Sequence, residues 1–274
     1  MEQQYREFLE EVLFLVKKQG AEYADCRLYP ESKFEESTVE NGQITALSSS
    51  KSAGFGVRVL VNGSWGFYAT PILERSKIEN TVKRAVQSAN VNSRLQREKV
   101  VLAPLPAPWP KDHIATYKTK VDIDPFGIST DQKVILLASA DEAMKQASKK
   151  VFWRVASMDI LETRKLFASS EGVLCDQTFI ECGAASQAHA MDHPGGDTQR
   201  RSWQDSHPLL SQRGYEAIED LDFVANAARM AVEAEQLLSA PYAPSGKRGA
   251  ILLPTFMLNL HGHETTHGFE ADRI

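Results

Sequence analysis

Apolar residues recur at intervals of three and four in four segments of the chain, and each segment predicts an amphipathic helix. The four segments cover residues 5–16, 73–92, 129–149 and 216–239. Gly20 is expected to end the first helix. Ser129, followed three residues later by Gln132, predicts a capping box at the start of the third. Each helix is therefore expected to pack on the rest of the fold through one apolar face.

Between these helices the pattern changes to the alternation of β-strands. Strands are predicted at 24–29, 34–39 and 43–47, in a hairpin at 54–70, and at 152–160, 163–169, 173–180 and 182–191. Pro30 is expected to stop the first strand, because proline donates no ladder hydrogen bond. Asn41-Gly42 and Asn62-Gly63 predict two-residue hairpin turns. The polar segments 48–52 and 197–214 are predicted to be loops.

A proline-rich stretch divides the chain. Residues 101–110, VLAPLPAPWP, hold four prolines in ten residues and predict an extended linker. The pattern therefore predicts an α+β fold with two units, each a helix, an antiparallel meander and a second helix. The predicted boundaries are an N-terminal domain at 1–100, a linker at 101–115, a middle domain at 116–240 and a further segment at 241–274.

Composition argues against a nucleic-acid-binding protein and against a membrane-spanning one. Of 274 residues 42% are hydrophobic and 24% are charged, and the formal net charge is −5 with both signs mixed along the chain. A nucleic-acid-binding domain usually carries a basic face, so direct nucleic-acid binding is not expected. The chain has no run of 18 apolar residues, which argues against a membrane span. The acidic, amphipathic N-terminus lacks the regions of a signal peptide.

The cysteines and two isolated histidines are best interpreted as structural residues. Cys26, Cys175 and Cys182 are odd in number and form no C-x-x-C pair, so they are expected to be reduced thiols of a cytoplasmic protein. Core or strand positions are a better explanation for them than nucleophiles. His189 and His193 are possible metal ligands, but loop or strand-edge positions are the better explanation. The arginine-rich segment 197–214 is either a solvated connector or a contact for an acidic or extended partner.

The candidate chemistry lies in residues 258–274, which read LNLHGHETTHGFEADRI. His263, Glu264 and His267 form an H-E-x-x-H pattern, which on an α-helix places both imidazoles on one face, one turn apart. That arrangement suits two ligands of one metal ion, with Glu264 able to take a proton from an attacking water. Glu270 follows three residues after His267, as a third ligand or as a partner that orients a histidine.

The alternative for this stretch is a polar helix whose histidines face solvent or cap backbone groups. Three of the seven histidines crowd into seven residues here, namely His261, His263 and His267, which favours the metal site. The preceding residues 249–253, GAILL, predict a buried strand that leads into the helix.

Three segments together resemble the TldD/PmbA family, also called modulators of DNA gyrase. They are residues 23–70, the LFASSEG meander at 166–172, and residues 243–274, APSGKRGAILLPTFMLNLHGHETTHGFEADRI. The resemblance spans essentially the whole chain. It implies a zinc-dependent metallopeptidase in which His263 and His267 bind one Zn²⁺ ion and Glu264 is the general base. It further implies peptide or unfolded-protein substrates, and a homodimer or a heterodimer with a TldD/PmbA-type paralogue.

Two features differ from the family pattern. The family motif is H-E-x-x-x-H, whereas only Thr265 and Thr266 separate Glu264 from His267 here. The family's C-terminal domain is longer and supplies a cysteine ligand near its end, so the third zinc ligand is expected beyond residue 274. Residues 241–274 are accordingly expected to be the start of a truncated C-terminal metallopeptidase domain. The alternative function is a non-catalytic assembly partner, or scaffold, of a TldD/PmbA-type complex.

Overall fold

A computed structural model of the chain describes residues 1–105, 107, 109–110, 113–204, 208–247, 249–253, 257 and 267–269. Two compact units are present, Met1–Ser239 and Ala240–Ile274. The helices are α1 (Gln3–Lys18), α2 (Ile78–Asn92), α3 (Thr130–Ala147), α4 (Glu216–Glu219) and α5 (Phe223–Leu237). The strands are β1 (Tyr23–Glu40), β2 (Gln43–Val61), β3 (Ser64–Thr70), β4 (Ala115–Lys118), β5 (Val151–Ser169), β6 (Leu174–Met191) and β7 (Thr198–Trp203).

The strands of the first unit form one sheet in the order β3-β2-β1-β5-β6-β4, with β7 also paired to β6. Only β4 is parallel to its neighbour, so the predicted α+β class with an antiparallel sheet is confirmed. The central strands are longer than predicted, at 18 or 19 residues each. The segments predicted as separate strands at 152–160 and 163–169 are two halves of β5, and those at 173–180 and 182–191 together correspond to β6.

The prediction that Pro30 stops the first strand is wrong. β1 continues to Glu40, and its register shifts between Leu28 and Ser32 against β5, and between Tyr29 and Ser32 against β2. Pro30 therefore lies in a β-bulge, where an unpaired residue has no ladder hydrogen bond to lose. The loop predicted at 48–52 is also wrong, because these residues belong to β2 and pair with β1. Their polar side chains are exposed, and a strand with a solvated face needs no apolar residue there.

Both pairs of helices cover the same face of the sheet. Alternate residues of β5 point to one side, and on that side Leu166 and Ala168 join the core under α1 and α2. Ala156, Met158 and Ile160 join the core under α3 and α5. The two predicted units therefore share one continuous sheet rather than each having a sheet of its own.

A band of ion pairs separates the two apolar cores on this face. Lys33 Nζ lies 2.8 Å from Glu162 Oε1, and Arg164 Nη2 lies 2.9 Å from Asp176 Oδ2. Arg164 also contacts Glu2 at 2.7 Å. Because charged groups must keep partners or water, the band divides the apolar surface into two regions, each under its own pair of helices.

Several other local predictions can be compared directly. The capping box of Ser129 and Gln132 is present at the start of α3. The helix predicted at 216–239 is two helices, because Asp222 between them adopts a left-handed φ of 47°. Part of the loop predicted at 197–214 is strand β7.

The buried strand predicted at 249–253 is wrong. These residues have no strand hydrogen bonding, and Ile251 is 98% exposed. An apolar run becomes a buried strand only where a neighbouring strand completes its hydrogen bonds, and within the described ranges none pairs with it. Of the helices that the structure describes, none is both long and apolar enough to cross a membrane.

Candidate metal centre

The predicted metal-binding stretch is described only in part. His263, Glu264 and Glu270 lie outside the described residues. His267 begins a 3₁₀ turn, His267–Phe269, and is half-buried. Over the rest of the described chain, no group of three or more His, Cys, Asp or Glu side chains is placed to hold a metal ion. The two imidazoles of the motif are a ligand type that suits zinc, so they fit the expected ion by their chemistry.

The two isolated histidines, His189 and His193, lie beside protein groups that are not arranged as a metal site. His189 packs edge-on against Trp153, with ring centroids 4.5 Å apart, and its Nε2 lies 2.7 Å from Gln187 Oε1. Burial and the nearby Arg200 lower the pKa of His189, which favours its neutral imidazole. His193 is mostly exposed beside Asp192. His193 therefore matches the loop position expected from sequence, whereas His189 lies inside the sheet, in β6 between β5 and β7.

The cysteines are not set up as nucleophiles. Cys26 is fully buried, and burial raises its pKa far above the ordinary range. Burial likewise raises the pKa of Cys182 to about 11, and its Sγ lies 2.9 Å from the Gly214 carbonyl oxygen as a donor. Burial also raises the pKa of Cys175. Because the thiolate is the reactive form, these thiols are core and strand residues, as predicted.

Arginines of the segment 197–214 are partly engaged within the fold. Arg201 Nη2 lies 2.7 Å from Glu233 Oε2 on α5, and Arg213 Nη2 lies 2.8 Å from Asp220 Oδ2. Their guanidinium groups already have carboxylate partners. The structure therefore favours the connector interpretation for these two side chains over contact with an acidic partner.

A buried carboxylate on the open face of the sheet was not found by sequence reasoning. Asp25 is 1% exposed, and Arg58 on β2 approaches its Oδ2 at 2.6 Å, while Arg27 lies 3.8 Å from its Oδ1. Arg58 also stacks 4.6 Å from the ring of Trp65. The available signal was the alternation in YADCRLY, which puts Asp25 and Arg27 on the side opposite the apolar residues.

This open-face cluster is suited to binding rather than to proton transfer. Burial and the charge of Asp25 raise the pKa of Tyr23, so that phenol stays protonated. Beside it lies a groove of about 520 Å³, in which Arg27 is the only charged lining residue. Gly54 and Gly56 line part of its wall, and Phe67 stands over Gly56.

Two family models match the chain. Residues 28–89 match the PmbA/TldA metallopeptidase domain 1, and residues 123–235 match the PmbA/TldA metallopeptidase central domain. Together the two ranges span more than half of the chain. They fall within the predicted 1–100 and 116–240 regions, on either side of the proline-rich stretch.

Similar curated proteins are metalloproteases from archaea and a cyanobacterium. A metalloprotease of Methanocaldococcus jannaschii is 27% identical over 269 residues, covering 92% of this chain and 52% of that protein. A metalloprotease of Synechocystis is 27% identical over 256 residues, covering 93% of this chain and 51% of that protein. The chain thus spans about half the length of the curated relatives it matches.

Solved structures share the fold. A Thermotoga maritima protein described as a modulator of a DNA gyrase superposes with a TM-score of 0.65 at 19% identity, covering 88% of this chain and 50% of that one. TldE from Thermococcus kodakarensis superposes with a TM-score of 0.57 at 18% identity, covering 84% of this chain and 47% of that one. With the two family models, these likenesses lead to one conclusion: the chain belongs to the PmbA/TldD metallopeptidase family.

Proposed function

We propose that this chain carries part of a zinc-dependent peptidase of the TldD type, which acts on unfolded or small peptides. The observation that carries the proposal is the H-E-x-x-H pattern at His263, Glu264 and His267, in a chain that belongs to a metallopeptidase family. Relatives named metalloproteases cover more than nine-tenths of the chain and support the same assignment.

Each residue of the motif has a distinct role in the proposed reaction. His263 and His267 hold the ion through neutral imidazole nitrogens, and a third ligand comes from outside the described residues. When bound, the zinc ion polarises the scissile carbonyl and acidifies water. Glu264 takes a proton from the attacking water and delivers it to the leaving amine as the C–N bond breaks. The products are a carboxylate and an amine, so atoms and protons balance.

A second candidate function is a non-catalytic scaffold in a TldD/PmbA-type complex. The spacing between Glu264 and His267 favours it, because two residues separate them here and three do so in the pattern that the family resemblance implies. In either case we propose assembly as a homodimer or as a heterodimer with a related chain. The fold shared with TldE is compatible with such a pair.

Zinc content and peptide cleavage separate the two functions. We expect His263→Asn and His267→Asn to reduce bound zinc, measured by plasma mass spectrometry, to less than about one tenth of an equivalent, because each removes a ligand. His261→Asn is the matched control, since it removes a histidine of the same stretch but outside the motif, and should keep its zinc. Glu264→Gln should keep zinc and slow cleavage of an unfolded peptide roughly 100-fold or more.

The pH dependence provides a further readout of the same site. Bound zinc should fall as the pH drops below about 6, because a protonated imidazole cannot bind a metal. Unchanged cleavage by Glu264→Gln, or wild-type chain with less than a tenth of an equivalent of zinc, would support the scaffold instead.

A further inference from the structure

Strand β3 forms one edge of the sheet. Among the described residues it pairs only with β2. Its sequence, SWGFYAT, contains no charged residue and no proline. Proteins usually protect an edge strand with charges, proline or a covering element, because unpaired backbone groups attract other strands. β3 has neither of the first two protections, which makes it a candidate for pairing with another chain.

The hairpin geometry shows which backbone groups face outward. Asn62 and Gly63 have positive φ angles of 53° and 73°, as in a type I′ turn, and Val61 pairs with Ser64. The pair that flanks such a turn is hydrogen-bonded, and the ladder then alternates. Ser64 and every second residue after it therefore bond to β2. Trp65, Phe67 and Ala69 direct their N–H and C=O groups away from the sheet.

Part of this outward row is already engaged. Asn92 Nδ2 on α2 donates to the Trp65 carbonyl oxygen at 2.9 Å. Phe67 and Ala69 remain, with two N–H donors and two C=O acceptors, and both residues are exposed. Two donors and two acceptors at alternate residues are what one added strand requires.

A groove runs beside this edge. Its volume is about 380 Å³, and its lining is Phe67 and Tyr68 from β3 with Arg84, Gln87, Ser88, Val91 and Asn92 from α2. α2 lies directly against β3 at Gly66, where a Cβ atom would approach the backbone of Ala85 and Ala89 to under 3.0 Å. This close packing places α2 so that side chains of an added strand would meet it.

The groove has a cation and an apolar residue at different positions along α2. The Arg84 guanidinium lies 5.4 Å from the ring centroid of Tyr68, and Arg84 makes no ion pair within the described part of the chain. Val91 is 56% exposed. The two residues are seven positions apart on the helix, about 10 Å along its axis. Side chains on one face of a strand are about 7 Å apart at positions i and i+2 and about 13 Å apart at i and i+4. The long Arg84 side chain spans the remaining difference of about 3 Å, so one face of an added strand can reach both.

From this geometry we propose that the β3 edge binds an extended peptide as an additional antiparallel or parallel strand. The peptide backbone exchanges four hydrogen bonds with Phe67 and Ala69. On its face toward α2, an acidic side chain pairs with Arg84 and an apolar side chain covers Val91. This site is separate from the proposed metal centre, and binding to it needs no metal.

Binding to the full 274-residue chain in the presence of a chelator tests the proposal without any contribution from cleavage. The probe is a fluorescent, end-blocked peptide of alternating threonines that carries one glutamate and one valine on the same face. Ala69→Pro removes one outward N–H and should weaken binding at least tenfold, whereas Ala69→Ser keeps that N–H and should bind within twofold of wild type. Arg84→Gln should weaken binding about fivefold, and Arg84→Lys should restore most of it.

A change in the peptide keeps the test independent of protein folding. N-methylation of the peptide amides that face Phe67 and Ala69 should abolish binding to the unaltered chain, whereas N-methylation at the alternate amides should have little effect. Equal binding by both methylated peptides would overturn the proposal. A wild-type dimer in light scattering that becomes a monomer in Ala69→Pro would also overturn it, because the edge would then bind a second copy.

Discussion

The two flanks of the sheet differ in the contacts between the edge strand and the helix beside it. On the β7 flank, Arg201 makes an ion pair with Glu233 of α5, and Arg229 of α5 lies 5.0 Å from the ring of Trp203. On the β3 flank, the strand has no charged residue and contacts α2 through Gly66. A helix lies beside the edge strand in both cases. An ion pair joins β7 to α5, whereas β3 is joined to α2 without one, through the Asn92–Trp65 hydrogen bond and the contact of Arg84 with Tyr68. Of these two strands, β3 is the one at which we propose the peptide site.

Two ion pairs, one under α3 and one on the open face of the sheet, differ in how much of each pair is exposed to water. Arg154 and Asp141 under α3 are 10% and 2% exposed in their side chains, and their atoms approach to 3.2 Å. Asp25 on the open face is 1% exposed, but its partner Arg58 is 38% exposed. The α3 pair is closed off from water, whereas the open-face pair retains access to it. This difference makes the first pair the more sensitive to loss of one partner.

The largest expected difference in stability comes from replacing the carboxylate of each ion pair by an amide. Asp141→Asn leaves the buried guanidinium of Arg154 without a counter-charge and should lower the free energy of unfolding by about 3–5 kcal/mol. Asp25→Asn should cost about 1–2 kcal/mol, because Arg58 can recover water. Urea unfolding of both variants at pH 7 gives the comparison. Equal losses would show that exposure of the partner does not decide the cost.

A smaller loss of stability is expected when alanine replaces glycine at two positions where another backbone segment lies close to the glycine. A Cβ at Gly66 would collide with the backbone of α2, and a Cβ at Gly183 would collide with the backbone at Leu209. Helix backbone is held by its own hydrogen bonds, whereas residues 208–210 have no regular structure and can shift. We expect Gly66→Ala to cost about 3 kcal/mol and Gly183→Ala about 1 kcal/mol of unfolding free energy. Thermal unfolding of both variants measures the difference, and a larger loss at Gly183 would contradict it.

The smallest effect concerns the ion pair that ties β7 to α5. Burial raises the pKa of Glu233, but hydrogen bonds from Arg201 and Arg229 outweigh it and hold the pKa below its ordinary value of 4.5. A lowered carboxyl pKa stabilises the fold above the ordinary value, and this contribution disappears as the pH falls through the lowered value. Glu233→Gln should therefore cost about 0.5–1 kcal/mol of unfolding free energy at pH 7, and progressively less as the pH is lowered below the ordinary value.

Arg84→Gln on the opposite flank is the matched control for that experiment. Arg84 has no ion pair within the described residues, so its replacement should change the unfolding free energy by less than about 0.5 kcal/mol at pH 7 and at lower pH. A pH-dependent loss in Arg84→Gln would mean that the β3 flank is also tied by charge.

Sequence reasoning succeeded where a few neighbouring residues decide the structure. The turns at Asn41-Gly42 and Asn62-Gly63 have the positive φ angles that their residues predict, and the capping box at Ser129 is formed. The helical segments were found from apolar spacing, because one helical face repeats within a single segment, although the last segment folds as two helices. The H-E-x-x-H pattern was likewise visible in the sequence, but its arrangement depends on residues outside the described part of the chain.

Strand length and sheet sharing could not be found in this way. Pro30 ends a strand in most contexts, yet a bulge formed against two neighbouring strands carries β1 through it. The polar residues 48–52 continue β2 because β1 lies alongside to complete their hydrogen bonds. Asp25 and Arg58 are 33 residues apart, and their contact requires β1 and β2 to pair in register.

By itself the sequence determined the helical segments and the hairpin turns, and it supplied the candidate metal ligands as a prediction. The tertiary structure alone decided that both helix pairs share one sheet, that a band of charges divides its cores, and that β3 pairs with β2 alone among the described strands. The physical reason is the range of the interactions. Helical and turn hydrogen bonds close within a few residues, whereas strand pairing and burial depend on which distant segments meet.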